Sequence, residues 1–269
     1  MRILLTGTAG QVGGALLRLL QGRGEILAPT QEEFDLSKPA AQADGLDGLK
    51  PDLIVNPAAY TAVDRAEDEA ELAFRINAEA PAAISRWAAQ HDVPLVHFST
   101  DYVFNGEGDR RWREDSPTGP LSVYGACKLA GDNAIRAANG PHLIVRTSWV
   151  YASKGANFLR TIARLAGARK ELRIVADQIG APTTARVIAD TVVKILSPNL
   201  QGDTKRFAQD GGIVNVVCAG ETSWHDFAAA IVAGLKSRGV VLAVEQIVPI
   251  STADFPTKAK RPGNSRLDL

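Results

Sequence analysis

The chain lacks almost everything that marks a secreted, metal-bound or nucleic-acid-binding protein. Only two of its 269 residues are cysteine, Cys127 and Cys218, and neither stands in a CxxC or Cys/His ligand spacing. That excludes a disulfide framework, and the two thiols read as the reduced, partly buried side chains of a cytoplasmic protein. Charge of one sign is missing as well: thirty basic and thirty acidic residues cancel. No run of Lys or Arg forms a stripe, so the field that nucleic acid or an anionic membrane would exploit is absent. No apolar stretch approaches the roughly 18 residues of a membrane span, and Met1-Arg2-Ile3-Leu4-Leu5 meets Gly7 and Gly10 too soon for a signal peptide. His91, His97, His142 and His225 have no mutual ligand spacing, and no metal is assigned to them.

What remains is 45% apolar and 22% charged, enough to bury a core without covalent or metal staples. Strand-length apolar runs recur at Ile3–Leu5, Ile26–Ala28, Leu53–Val55, Pro94–Phe98 and His142–Val145, with helical spacing at Val12–Leu20, Ala66–Ile76 and Ala78–Ala89 between them. Strands apolar on both faces, alternating with helices, predict a parallel sheet between helical layers. After Tyr151 the rhythm loosens into helices at Asn157–Ala168, Ala185–Leu196 and Trp224–Leu235 and strands at Leu172–Val175 and Ile213–Val217. The pattern predicts a dinucleotide-binding domain over 1–150, with elements of 171–218 returning to its sheet. Residues 151–170 and 219–269 form a smaller substrate-binding region.

Three groups of residues suggest chemistry. Gly7, Gly10 and Gly13 follow the first strand and open a helix, where small residues permit a tight turn and backbone N–H groups can face a pyrophosphate. Tyr124 and Lys128 lie four positions apart, on one face of a helix. At about 4 Å an ammonium could favour the ionised phenol by up to ~4 kcal/mol, moving a tyrosine into the range of general acid–base catalysis. Thr100 and Asp101 sit at the carboxyl end of a strand, where open parallel sheets place their ligand crevices, and Thr100 could donate to a substrate carbonyl. Asn56–Thr61 follows another strand end, and Trp149 could stack on a substrate ring or simply belong to the core.

In order along the chain, the glycine turn, Asn56-Pro-Ala-Ala-Tyr-Thr-Ala-Val-Asp64, Ser99-Thr-Asp-Tyr-Val-Phe104, the Tyr124/Lys128 pair, Arg146-Thr-Ser-Trp-Val-Tyr151, Asp177-Gln-Ile-Gly-Ala-Pro-Thr183 and Arg261-Pro-Gly-Asn-Ser-Arg-Leu267 resemble the dTDP-4-dehydrorhamnose reductases, a family of extended short-chain dehydrogenases/reductases. The likeness spans nearly the whole chain. It implies an α/β Rossmann-type doubly wound sheet with a smaller C-terminal substrate-binding region. The implied activity is reduction of the 4-keto group of dTDP-4-dehydro-L-rhamnose by a nicotinamide cofactor, a step supplying bacterial surface polysaccharide. By resemblance, Gly10, Gln11 and Val12 touch the pyrophosphate, Asp35 and Leu36 border the adenine, and Ala59, Tyr60 and Thr61 lie along the ribose and nicotinamide. Thr100, Asp101 and Trp149 contact the sugar, Arg261 and Asn264 hold the nucleotide diphosphate, and Tyr124, Lys128 and Thr100 form the catalytic group.

Two departures from the family pattern carry expectations of their own. Relatives often carry an acid at the end of the second strand, which would repel a 2′-phosphate; this chain has Thr30-Gln31 there, favouring NADPH with NADH still acceptable. The chain stops at Leu269, where relatives usually continue, and Arg186 occupies a position where some relatives carry a metal-binding acid. The expectation is therefore a monomer or weak homodimer without a bridging metal. The rival readings are a nucleotide-sugar epimerase or dehydratase on the same scaffold and a non-catalytic dinucleotide-binding regulatory subunit. Asp101-Tyr102 after Thr100, in place of an Asp-Glu pair, disfavours a dehydratase, and an intact Tyr124/Lys128/Thr100 set disfavours a pure binding module.

Overall fold

The computed structural model describes residues 1–200 and 211–269. Its centre is a six-stranded sheet in the order β10-β5-β4-β3-β1-β2, formed by β1 (Arg2–Leu5), β2 (Glu25–Leu27), β3 (Leu53–Asn56), β4 (Leu95–Thr100), β5 (His142–Thr147) and β10 (Gly212–Asn215). Every pairing is parallel. From β1 the chain moves to β2 on one side and then returns to β3 on the other, so strand order reverses beside β1. That is the switch point where doubly wound sheets open a crevice at their carboxyl ends.

Alternate residues of each strand face opposite layers, and both layers are covered, which is why the runs are apolar throughout. Ile3, Leu5, Leu53, Val55, Val96, Phe98, Leu143 and Val145 pack against α1 (Gln11–Leu20) and α8 (Ala185–Leu200). Leu4, Ile54, Leu95 and Ile144 face the opposite way, towards α2 (Gln42–Leu49), α5 (Ala80–Gln90) and α6 (Val123–Ala137). The helical pattern expected over 66–89 is divided: α3 (Val63–Ala66), α4 (Ala70–Phe74), a π-helical turn at Arg75–Glu79, then α5.

A second, smaller core joins α7 (Phe158–Ala168), α9 (Trp224–Lys236), β7 (Glu171–Val175) and β12 (Gln246–Ile250) through Ile162, Ala166, Leu172, Ala228, Ile231 and Val232. Of the elements within 171–218, the strand at 171–175 stays outside the central sheet. It pairs in parallel with β12, and Leu172 is buried against the helices of this second core. Within 171–218 the elements that reach the main sheet are α8 and β10, while 201–210 lies outside the described residues. Short pairs, β6 (Val150–Tyr151) with β9 (Thr183–Thr184) and β8 (Ile179–Gly180) with β11 (Thr222–Ser223), connect the two regions. Among the described residues no helix is long and apolar enough to cross a membrane.

Candidate active site

The glycine turn is closed by contact as much as by φ. Gly7 has φ +60, its carbonyl accepts from Gly10 N at 2.9 Å, and a Cβ on Gly13 would stand 2.2 Å from that same carbonyl oxygen. Gly10 is the N-cap of α1 and brings no side chain to its amides, so the first N–H groups of the helix are left for an anion. Gln11 carries its side-chain amide away from the turn, accepting from Asn157 Nδ2 at 2.9 Å, and Val12 packs on the core.

The segment after β3 is gripped through its backbone. Asn77, buried in the π-helical turn, accepts from Tyr60 N at 2.8 Å and donates to Tyr60 O at 2.9 Å. The Tyr60 hydroxyl points away to Glu69, 2.6 Å distant, and with both its main-chain groups held by Asn77 the segment Ala59–Thr61 is fixed in place after β3. Sequence reasoning passed over Asn77, since one asparagine in a helical stretch gives no signal.

Tyr124 and Lys128 occupy the first turns of α6, whose N-cap Ser122 accepts from Gly125 N at 3.2 Å. Gly125 lets the helix approach the loop after β4, for a Cβ there would meet Tyr102 O at 2.2 Å. Tyr124 packs edge-on against Tyr102 with ring centroids 5.7 Å apart. The expected acidification of Tyr124 is reversed. Burial, and then the neighbouring Asp101 carboxyl, push its pKa well above that of a free tyrosine, while Thr100 draws it the other way. The lysine is engaged elsewhere: Lys128 Nζ donates to Phe98 O at 2.6 Å and lies 3.0 Å from His97 Nε2, with the residue 1% exposed. Its own burial lowers it to about 8.

Thr100 ends β4, and its hydroxyl donates to Asp101 Oδ1 at 3.1 Å while accepting from Tyr102 N at 3.2 Å. Asp101 is 3% exposed, and burial raises its pKa to about 7 against the pull of Ser265, Thr100 and Ser148. Its Oδ2 is buried and meets no donor in hydrogen-bond geometry, because the nearby Ser148 Oγ is turned to Ser265 O at 3.4 Å. Ser148 and Ser265 were not anticipated; each is an ordinary serine until the fold brings it to this carboxyl.

Trp149 adopts φ +47 and stacks face to face on Trp224, with centroids 3.5 Å apart. Trp224 is anchored by Nε1 donating to Gln178 Oε1 at 3.1 Å. The indole of Trp149 is largely buried, so the core reading of this residue has direct support, and its partner Trp224 was read only as part of a helix. Arg261 grips Asp64 with both terminal guanidinium nitrogens, at 3.0 and 2.7 Å. A ligand anion there has to share or displace this carboxylate.

Local geometry bears on three further positions. Asn264 is buried, with Nδ2 donating to Arg110 O at 2.7 Å and Oδ1 accepting from Arg266 N and Nε at 3.2 and 2.8 Å; its amide is spent holding the C-terminal strap. Leu36 lies in the core with Leu4 and Ile54, beside Asp35, whose carboxylate is held low by Ser37. Beyond β2, which ends at Leu27, Glu33 folds back to accept from Thr30 N at 2.8 Å.

Comparison with known proteins places this geometry in a described group. The family model described as "RmlD substrate binding domain" matches residues 1–269. The dTDP-4-dehydrorhamnose reductase of Salmonella typhimurium is 44% identical over 272 residues, covering 100% of this chain and 89% of that protein. A dTDP-4-dehydrorhamnose reductase from Clostridium acetobutylicum superimposes with a TM-score of 0.89 at 34% identity, covering 100% of this chain and 90% of that one. One from Bacillus anthracis, solved in complex with NADP, has a TM-score of 0.88 at 31% identity, with 99% and 90% covered.

Proposed function

Since this chain belongs to the RmlD substrate binding domain family of dTDP-4-dehydrorhamnose reductases, we propose how its own residues carry out the reduction of dTDP-4-dehydro-L-rhamnose to dTDP-L-rhamnose. The cofactor is NADPH, which supplies the hydride for the 4-keto carbon when bound. The turn Gly7–Gly13 fits a dinucleotide: the α1 amides have no side-chain cap, and any Cβ at Gly13 would fill the place where the turn closes. Gly10, Gln11 and Val12 meet the pyrophosphate with their backbone, and Ala59, Tyr60 and Thr61 line the ribose and nicotinamide. Lys128 has one N–H left after Phe98 O and His97, and that donor serves the ribose.

Tyr124 is the proton donor. Burial keeps the phenol protonated, which is the form a reductase needs when negative charge develops on the carbonyl oxygen. Thr100 shares that oxygen: its hydroxyl releases Asp101 Oδ1 and turns to the substrate, stabilising the charge as it forms. The unpartnered Oδ2 of Asp101 supports a sugar hydroxyl as its acceptor-seeking partner, because a buried lone acceptor is costly until a ligand satisfies it. Trp149 borders the ring. Arg261 exchanges Asp64 for the diphosphate, a change a guanidinium fork tolerates because both partners present paired oxygens. The single observation that carries this reading is the convergence of Tyr124, Thr100 and Asp101 at the end of β4.

Tyr124→Phe tests it. NADPH affinity stays within about two-fold while turnover with the 4-keto sugar nucleotide drops by roughly 10²–10⁴; an unchanged kcat removes Tyr124 from the mechanism. We further propose a cytoplasmic enzyme acting as a monomer or weak homodimer without a bridging metal. Arg186 supports this, since it stands ion-paired to Asp190 on the outer face of α8, 3.6 Å away, and offers no ligand. Sizing with and without magnesium checks it, and a magnesium-dependent dimer contradicts it.

A further inference from the structure

A buried line of hydrogen-bonding side chains runs under the site and ends on Lys128. Thr6 Oγ1 lies 2.6 Å from Asn56 Oδ1, Asn56 Nδ2 lies 3.2 Å from His97 Nδ1, and His97 Nε2 lies 3.0 Å from Lys128 Nζ. Thr6, Asn56, His97 and Lys128 are 4%, 1%, 1% and 1% exposed. The sheet builds the line directly: β1, β3 and β4 are neighbours, and Asn56 and His97 are register partners across β3 and β4. At its far end Thr6 adjoins Gly7, and its Oγ1 also accepts from Ala58 N at 3.3 Å. The line therefore joins the dinucleotide turn, the segment before Ala59 and the lysine.

Counting donors shows that this line has two self-consistent proton arrangements. An ammonium has three donors and no acceptor. If Lys128 is charged, His97 Nε2 must accept, so its proton sits on Nδ1 and Asn56 must present Oδ1 to it, with Nδ2 turned to Thr6 Oγ1. If Lys128 is a neutral amine, its lone pair can accept from His97 Nε2–H. His97 Nδ1 then accepts from Asn56 Nδ2, and Asn56 Oδ1 accepts from the Thr6 hydroxyl. The two arrangements share one side-chain outline and differ by a half-turn of the Asn56 amide and by the His97 tautomer. The two arrangements differ by one proton, which the line releases to water as Lys128 becomes neutral.

We propose that His97 is a positioning residue for the reduction, holding Lys128 through its tautomer and, with Asn56 and Thr6, tying the charge of Lys128 to the turn that receives the dinucleotide. The proposal rests on the reading of Lys128 as the ribose-binding lysine. His97 suits the task because burial, and secondarily the charge of Lys128, keep it neutral; it changes tautomer instead of charge. Lys128, lowered to about 8 by burial, has both states within reach near neutral pH. The other titratable groups facing it are Cys127 and Asp132 of its own helix, with Arg146 of β5 paired to Asp132 at 3.4 Å, and Tyr124 one turn away. Asp132 Oδ2 takes Ser99 and Arg146 while its buried Oδ1 has no partner; Asp132 acts on Lys128 through its charge, which raises it, and His97 is the side chain in hydrogen-bond contact with Nζ.

The direct test is 15N NMR of the NADP-bound enzyme labelled at histidine, titrated from about pH 6 to about pH 10. His97 is identified as the signal lost in His97→Gln. The expected result is an Nδ1–H imidazole at the acid end that becomes Nε2–H at the alkaline end, with a midpoint near that of Lys128. One tautomer throughout, or an imidazolium, overturns the proposal. A second arm reads kcat against pH. His97→Leu moves the alkaline limb to lower pH by roughly one to two units, as loss of a hydrogen bond to a charged group predicts. KM for the nucleotide sugar changes little, and His97→Gln, which restores a carbonyl acceptor, returns the limb to or above its original place. A limb that stays put while only the melting temperature falls makes His97 a filler of space and overturns the proposal. The tautomer measurement needs no substrate, so its failure is separable from a failure of the assigned reaction.

Discussion

Asp101→Asn isolates the cost of a buried carboxyl beside the proton donor. Burial moves Asp101 from an ordinary 3.8 to about 7, a displacement worth roughly 4 kcal/mol between folded and unfolded states. The sign follows from which state holds the proton. Between those two values the folded protein keeps a proton that the unfolded chain has released, so the stability this group contributes is full below the lower value. It falls by about 1.4 kcal/mol per pH unit as pH rises and is gone above the upper value. Asparagine keeps the shape and an oxygen for the Thr100 hydroxyl but does not titrate. Urea unfolding of both proteins at intervals from about pH 4 to about pH 8 should therefore show the variant gaining on the parent by up to roughly 4 kcal/mol across that window, then running parallel to it. Other groups, such as the raised Asp132, act in both proteins and cancel in the difference. A difference independent of pH would mean that Asp101 ionises as freely as in the unfolded chain, which would refute the burial argument and the raised Tyr124 pKa attributed partly to it.

Two further substitutions test the cofactor site. Gly13→Ala places a methyl 2.2 Å from Gly7 O, so the turn opens and NADPH affinity, read by fluorescence titration, should fall at least ten-fold; tight binding would show that the closed turn is not what receives the pyrophosphate. Glu33→Gln removes the carboxylate that folds onto Thr30 N. Because this group is exposed, the gain in kcat/KM for NADPH relative to NADH should be modest, roughly two- to five-fold, and no change in the ratio would place Glu33 outside the field of the 2′-phosphate.

The central sheet was readable because a strand buried on both faces is apolar without interruption, as at Leu53–Val55, and because each such run is followed by a helix. Pairing of β7 with β12 was not, since Leu172 is the one residue of β7 fully buried and Gln246–Ile250 carries a proline and no clear alternation. The strand was recognised, but nothing local said which edge it would join. At the site, residues at strand ends and on one helix face could be grouped by spacing: Thr100 with Asp101, Tyr124 with Lys128. Roles that depend on a distant partner could not. Asn264 looks like a polar ligand in a basic tail until Arg110 O and Arg266 claim its amide, and Trp149 looks available until Trp224 covers its face.

The Tyr124/Lys128 spacing illustrates why direction has to be decided by magnitudes. Shared face and opposite polarity argue for a lowered phenol pKa, and that argument holds for a pair at the surface of a helix. In the fold Lys128 is buried and Tyr124 half-buried, and desolvation acts on each against its charged form: the phenol goes up and the ammonium comes down. Lys128 meets its desolvation with Phe98 O and His97 rather than with the phenol, so its charge is spent on β4. A phenol that resists ionisation is a poor general base for oxidising an alcohol and a sound acid for protonating a nascent alkoxide, which is stronger as a base than any phenolate. The electrostatics of this pair therefore keep the acid form of Tyr124 populated through neutral pH, the form that meets an oxygen becoming an alkoxide.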